Sequence, residues 1–228
     1  MLSILVLDLA VGGRIFGQVR ESWSVATDTH ETNVFVLAGN SVVIHGSSTG
    51  TRNYSAQGQE RWSVPSVPSF YWPDSMGLAA DSAGNVFVSE NWRFYYFGFT
   101  FESRTTKLDA RAGSQLWSAP YAGTLAVDRR GNVFISGSSF SNGVWDTMTM
   151  KLAATDGRQL WSVLWSSGTF RQNHFLTVDN AGDVIVGSVQ GIAKLAGNGG
   201  RQLWSIPFNS YYLALDSAGN VYTLRNAF

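Results

Sequence analysis

One phrase returns along the chain and constrains its fold more than any other feature: Leu116-Trp117-Ser118, Leu160-Trp161-Ser162 and Leu203-Trp204-Ser205, with looser copies at Arg61-Trp62-Ser63 and Ser22-Trp23-Ser24. Five tryptophans are thereby set in register. Four of them have a glycine four residues earlier, at Gly58, Gly113, Gly157 and Gly200, while the first copy has Val19 there. Four have a basic residue ten positions earlier, at Arg52, Lys107, Lys151 and Lys194, and these include all three lysines of the chain. Chance does not gather every lysine at one repeat position, so the chain is a tandem array.

A second phrase alternates with the first: Gly39-Asn40, Gly84-Asn85, Gly131-Asn132, Gly182-Asp183 and Gly219-Asn220, each followed by a β-favouring run such as Val133-Phe134-Ile135. In three copies an aspartate opens the phrase, at Asp81, Asp128 and Asp216. Glycine supplies a positive φ, and the aspartate side chain caps the turn. Short alternating runs such as Leu125-Ala126-Val127 and Leu213-Ala214-Leu215 precede the turns and read as half-buried strands. Each phrase is the turn of a β-hairpin.

A unit therefore reads as strand A, a DxxGN turn, strand B, a variable connection, strand C with the basic residue, a glycine turn, and strand D with the tryptophan. Four short antiparallel strands make one blade, and five units over 228 residues give about 46 residues each, within the usual range for a propeller blade. No segment carries a sustained helical period. The chain opens with a C–D pair, Ile4 to Asp8 and Glu21 to Val25, and ends with an A–B pair within 211–225. Joined, these complete a fifth blade and remove the open sheet edges. The expected fold is an all-β, five-bladed β-propeller in a single domain over 1–228, its four-stranded blades closed by a blade shared between the termini.

Sixteen basic residues balance sixteen acidic ones, which argues against a nucleic-acid binder. The absence of cysteine excludes disulfides, thiolate metal sites and a cysteine nucleophile. No run of eighteen apolar residues is present to span a bilayer as a helix. Met1 to Gly17 has an apolar run broken by Asp8 and no basic start, so it makes a poor export signal and a better strand.

The stretch from Val127 through Gly131-Asn132 to Gly137, followed by Asp146 to Leu152 and Gly157-Arg158-Gln159-Leu160-Trp161, resembles the bacterial β-propeller repeat of secreted and cell-surface proteins. The GxxxW step is also similar to the tryptophan-docking motif of quinoprotein-type repeats. The resemblance covers almost the whole chain. It implies that Trp23, Trp62, Trp117, Trp161 and Trp204 pack between blades and offer their indole N–H to backbone carbonyls. It also implies an extracellular, cell-surface or periplasmic setting, and blade connections B–C and D–A gathered on one face. The basic position is expected to form inter-blade ion pairs or to pack its stem. Such repeats carry many functions, so activity has to be sought where the repeat is broken.

The broken places are aromatic. Phe70-Tyr71-Trp72-Pro73-Asp74 lies before a strand A, and Trp92-Arg93-Phe94-Tyr95-Tyr96-Phe97 follows strand B of the same blade. Trp145, Trp165, and the run Phe170-Arg171-Gln172-Asn173-His174 lie in corresponding regions. Aromatic faces with a few polar groups are what a glycan or an extended peptide docks on. The candidate ligand-binding residues are Tyr71, Trp72, Trp92, Tyr95, Trp145, Trp165, Arg171 and His174, assigned to loops on one face. The same aromatics could instead be a long strand pair packing on itself.

Catalytic signatures are poorer. His30, His45 and His174 share no metal-ligand spacing, and no GxSxG, P-loop or GxGxxG is present. The acids Asp74, Glu90, Glu102 and Asp146 could pair for glycoside hydrolysis, but nothing in their spacing selects them. The expectation is a non-catalytic binding or scaffold protein with no cofactor and no metal, whose partner is a glycan, peptide or protein. Two alternatives stand beside it: a carbohydrate-active hydrolase or lyase with carboxylates at the channel mouth, and a fragment or spacer of a larger repeat-rich surface protein.

Overall fold

The structure is a computed structural model that describes residues 2–5, 21–25, 32–37, 41–46, 50–65, 73–94, 100–141, 144–168, 175–188, 191–207 and 212–224. Side chains are described from residue 41 onward, leaving out 73–76, 92–102, 138–147, 165–168 and 188 within these spans. All regular structure among the described residues is β. By its contacts the chain divides into two compact units, Met1–Phe70 with Arg111–Gly113, and Tyr71–Ala110 with Ser114–Phe228.

The first unit holds a hairpin of β1 (Leu2–Leu5) and β2 (Glu21–Val25), and a four-stranded antiparallel sheet in the order β3 (Thr32–Leu37), β4 (Ser41–Gly46), β5 (Gly50–Tyr54), β6 (Glu60–Val64). Of the Ile4 to Asp8 span expected as the opening strand, Ile4 and Leu5 lie in β1, and residues 6–8 lie outside the described residues. Every residue of β4 is buried, which suits its continuous run Val42-Val43-Ile44 to a strand covered on both faces. Trp62 is also buried, and its ring lies against Gly113; a Cβ there would come within 2.6 Å of the ring.

The second unit holds three complete sheets and a final hairpin, each in simple antiparallel order. One is β7 (Pro73–Ala80), β8 (Val86–Phe94), β9 (Thr100–Leu108) and β10 (Gln115–Ala119). The next is β11 (Thr124–Val127), β12 (Val133–Ser141), β13 (Val144–Leu152) and β14 (Gln159–Gly168). The third is β15 (Phe175–Val178), β16 (Val184–Ser188), β17 (Gly191–Leu195) and β18 (Gln202–Ile206), followed by the pair β19 (Tyr212–Leu215) and β20 (Val221–Leu224). The first strands β7, β11, β15 and β19 are neighbours in succession, so the sheets pack face to face in chain order.

The core lies between the sheets. Phe87 and Trp117 of one sheet meet Leu125, Val133, Ile135, Met150 and Leu152 of the next. Phe134, Trp161 and Val163 meet Val184, Val186, Ala193 and Leu195 of the one after. Strands with a buried residue on each face explain why B-strand sequences such as Val133-Phe134-Ile135 are apolar throughout rather than alternating. In every four-stranded sheet the register slips by one residue just before the docking tryptophan, leaving Arg61, Leu116, Leu160 and Leu203 as β-bulges. That accounts for the exposure of the three leucines, each of which comes just before a docking-register tryptophan.

Candidate functional site

The repeated residues build a docking joint between successive sheets of the second unit. Trp117 Nε1 donates to the carbonyl oxygen of Ala154 at 3.1 Å, and Trp161 Nε1 donates to that of Gly197, also at 3.1 Å. Each ring stacks on the glycine of the same turn, Gly157 or Gly200, both at positive φ. The indoles also meet the B-strand phenylalanine of their own sheet, Phe87–Trp117 and Phe134–Trp161, each with centroids 5.8 Å apart. Trp117 and Trp161 dock as the resemblance implies, whereas Trp204 is 37% exposed and does not, and the side chain of Trp23 lies outside the described residues.

The lysines act within their sheets as well as between them. Lys107 Nζ lies 3.1 Å from Asp81 Oδ2, and Lys151 Nζ lies 3.0 Å from Asp128 Oδ2. These are ion pairs between strand C and the DxxGN turn of one sheet, not the inter-blade pairs expected from sequence. The inter-sheet contact is a hydrogen bond: Lys107 to the Ala154 carbonyl at 3.2 Å and Lys151 to the Gly197 carbonyl at 3.1 Å. Each ammonium also sits over a ring, Phe87 at 5.1 Å and Phe134 at 4.6 Å.

The turn phrase completes the joint. Asp128 Oδ1 accepts from the backbone N–H groups of Arg130 and Asn132, each at 2.9 Å, the local capping that turn aspartates provide. Asn132 Nδ2 donates to the same carboxylate, and its Oδ1 accepts from the N–H of Ala154 at 3.1 Å. Asn132 therefore holds the turn whose carbonyl receives Trp117 and Lys107. Burial by itself would raise the Asp128 carboxyl, but hydrogen bonds from Asn132 and Lys151 outweigh it and hold the group below its ordinary value. Asp81 behaves alike with Asn85 and Lys107. With its oxygens taken by amides and an ammonium, this aspartate is a structural element, and among the described residues no acid and histidine group suited to a metal ion occurs.

The Gly182-Asp183 copy also opens with an aspartate, Asp179, which the sequence analysis does not single out. Here Asp183 replaces the asparagine, accepts from Gly197 N–H at 3.0 Å, and cannot donate to Asp179. Lys194 enters between the two carboxylates instead, with distances of 2.6 Å to Asp179 and 3.3 Å to Asp183. The hydrogen bond to Asp179 is the main reason its ammonium is held above the ordinary lysine range. The spacing from Asp179 to Gly182 matches the other copies and was the available signal.

The aromatic residues fall differently from the loop assignment. Trp92 lies in β8, Trp145 in β13 and Trp165 in β14, so their backbones are strand, as in the long-strand alternative. Their side chains lie outside the described residues, as do Tyr71, Trp72, Tyr95, Arg171 and His174 altogether. What carries the three tryptophans is a lengthening of two sheets. β8, β9, β12 and β13 have 9 residues each, against 5 in β16 and β17. The additional residues extend the B–C hairpins of adjacent sheets at the same end, where Phe140 pairs with Trp145 and Trp92 with Glu102. Pro73 pairs with Trp92, so the start of β7 runs beside the end of β8, while Phe70, Tyr71 and Trp72 lie outside the described residues. Of the candidate acids, Glu90 is held by Arg104 at 3.0 Å, while Asp74, Glu102 and Asp146 are strand residues of β7, β9 and β13.

Comparison with solved structures identifies the architecture. The chain is similar to quinohemoprotein alcohol dehydrogenase from Comamonas testosteroni (14% identity, TM-score 0.56, covering 83% of this chain and 38% of that one). It is similar to BamB from Moraxella catarrhalis (16%, TM-score 0.51, 83% and 59%) and to the Dos1 propeller (12%, TM-score 0.57, 82% and 49%). The fold is that of a β-propeller. The chain thus spans about two fifths to three fifths of the length of these propellers. No protein-family model matches it, and no curated protein matches it either. The likeness to a quinohemoprotein accords with the tryptophan-docking phrase, and at these identities it speaks to fold alone.

Proposed function

We propose that this chain is a non-catalytic binding or scaffold propeller that presents an aromatic end to an extended peptide, glycan or protein partner, outside the cytoplasm. The observation that carries this reading is the pair of lengthened B–C hairpins on adjacent sheets, which raise Trp92 and Trp145 beyond the repeat while the docking joints stay uniform. Among the described residues the elongation falls on two sheets and serves no packing requirement of the repeat, and irregularities on a rigid scaffold are where binding residues concentrate. Tyr71, Trp72, Tyr95, Trp165, Arg171 and His174 complete the proposed surface. A hydrolase with Glu90 as acid is the weaker reading, because Arg104 already holds that carboxylate.

We also propose that the propeller is a single domain of five blades, the fifth assembled from β1–β2 and β19–β20. The two hairpins supply a C–D pair and an A–B pair, which together have the strand content of one sheet. The function is tested with a glycan array and a peptide display library, comparing the native chain with Trp72→Ala/Trp92→Ala and Trp145→Ala. Loss of a bound partner at unchanged thermal stability supports the assigned end. Binding that survives all three substitutions overturns it.

A further inference from the structure

The C–D turns at 153–158 and 196–201 close alike. Ala153 N–H donates to the Arg158 carbonyl at 2.9 Å and Gly157 N–H to that of Ala153 at 3.1 Å; Ala196 N–H donates to Arg201 at 2.8 Å and Gly200 N–H to Ala196 at 2.9 Å. Each turn also holds a pair prone to backbone attack, Asp156-Gly157 in one and Asn198-Gly199 in the other, set one position apart. In the first turn the glycine of the pair is the buried one under the Trp117 ring, its N–H is the one bonded to Ala153, and Asp156 Oδ1 accepts from Arg158 N–H at 3.1 Å. In the second the glycine of the pair precedes the buried Gly200. Asn198 and Gly199 are both exposed, and a Cβ on Gly199 would meet nothing within 4 Å. Among the described residues neither the Gly199 N–H nor the Asn198 side chain makes a hydrogen bond.

Asparagine is among the thermolabile residues, because the backbone nitrogen that follows it can attack its Cγ. The N–Cγ bond forms and the Cγ–Nδ2 bond breaks, and the proton of the attacking nitrogen leaves with the amide as ammonia. A five-membered imide closes. Water then adds to either of its two carbonyls and opens it to an aspartyl or an isoaspartyl residue, with no oxidant or reductant consumed. The attack needs a nitrogen without an acceptor and a following residue with no Cβ to crowd the approach. Gly199 meets both needs, whereas the nitrogen of Gly157 is bonded and covered.

We infer that Asn198 is a modification site of the folded chain, converted through an imide with Gly199 to aspartyl and isoaspartyl forms, and that the isoaspartyl form loosens the socket of Trp161. That form carries the main chain through Cβ and Cγ and so lengthens it by one atom. The added atom falls inside the ring closed by Gly200 N–H and the Ala196 carbonyl, directly after Gly197. The Gly197 carbonyl receives both Trp161 and Lys151, each at 3.1 Å. Gly197 has no room to absorb a shift, since its Cβ position is taken by the Gly182 carbonyl and its N–H is held by Asp183 at 3.0 Å.

The test ages the full-length protein in mildly alkaline buffer, folded and in urea, and follows each site by peptide mapping with mass spectrometry and isoaspartyl labelling. Mapping also separates Asn198 from Asn142-Gly143, which lies outside the described residues. Asn198 is expected to convert in the folded protein within about threefold of its rate in urea, whereas folding slows isomerisation at Asp156 by about tenfold or more, because a bonded and covered amide reacts only from opened states. No conversion in the folded protein, or a slowing at Asn198 equal to that at Asp156, overturns the site. Aged protein is expected to melt about 2–4 °C below fresh protein, the shift of a modest loss in a chain of this size. Asn198→Thr, which places here the residue type of Thr155 in the first turn, is expected to keep its midpoint through the same ageing. A midpoint that holds after Asn198 has converted, or that falls equally in Asn198→Thr, overturns the effect on the socket.

Discussion

Trp117 and Lys107 donate to one carbonyl oxygen, that of Ala154, from 3.1 and 3.2 Å. A carbonyl has two lone pairs, and here both serve the same joint between sheets. Removing either donor has different consequences, because one is an aromatic wedge and the other a partnered charge.

Trp161→Ala is expected to lower stability by about 3 kcal/mol, the low end of the range for truncating a large buried aromatic, since Trp161 is partly buried. Trp204→Ala is expected to cost far less. Trp204 occupies the same register opposite Lys194 but is 37% exposed, with no hydrogen bond from its indole among the described residues. Urea unfolding of both variants measures the difference; equal losses would contradict the docking role.

Lys151→Met leaves the Asp128 carboxylate buried without its ammonium, and a loss of about 3 kcal/mol or more is expected at pH 7. Lys151→Met/Asp128→Asn, which removes both charges, is expected to recover part of it. The Asp128 carboxyl is held below its ordinary value in the native chain, so its contribution is present above the unfolded value and is lost as pH falls through the folded one. Chemical denaturation between pH 7 and pH 3 is expected to show a shallower acid decline in the double variant.

Gly157→Ala and Gly182→Ala separate backbone strain from joint sterics. Both glycines have positive φ, 71° and 85°. A Cβ on Gly157 would lie 2.6 Å from the Trp117 ring, whereas one on Gly182 meets nothing within 4 Å. Gly182→Ala is expected to cost about 1–2 kcal/mol from the left-handed conformation alone, and Gly157→Ala distinctly more. A thermal melt of each variant decides the order.

His45, 1% exposed in β4 and hydrogen-bonded through Nδ1 to Thr51, has its pKa lowered by burial to about 4. Its unfolded value is near 6.5, so the unfolded chain binds the extra proton first as pH falls. Stability is expected to decline from about pH 6.5 down to about pH 4, by on the order of 3 kcal/mol for this group. His45→Gln is expected to flatten that window in a pH series of melts; an unchanged decline would assign it to other groups.

Asp183→Asn restores the asparagine of the other turns, able to donate to Asp179 and accept from Gly197. Lys194 then faces one carboxylate, as Lys107 and Lys151 do. The substitution is expected to change stability by less than about 1 kcal/mol, the net worth of one exchanged hydrogen bond. A large loss would show that Lys194 needs both acids.

The blade pattern was legible because its signals are local: a glycine at positive φ, an aspartate capping its own turn, a period of two along short strands. The partners of the lysines were less so. Sequence places Lys107 and Trp117 ten residues apart, but only the strand register shows that they stand side by side and that Asp81 reaches the ammonium from the far hairpin. Trp92, Trp145 and Trp165 were read as loop residues because their surroundings break the repeat. They lie in strands, since a hairpin can lengthen by pairing alone and needs no repeat phrase to do so.

The plug and the socket of the joints lie side by side in one unit, as Trp161 on its last strand follows the turn of Ala154 and Gly157 that receives Trp117. A duplicated unit therefore arrives with both halves of the contact, and fits between any two existing units without altering either. Growth of such a chain by tandem copying requires no compensating change in its interior, and the number of blades is written nowhere in the joints.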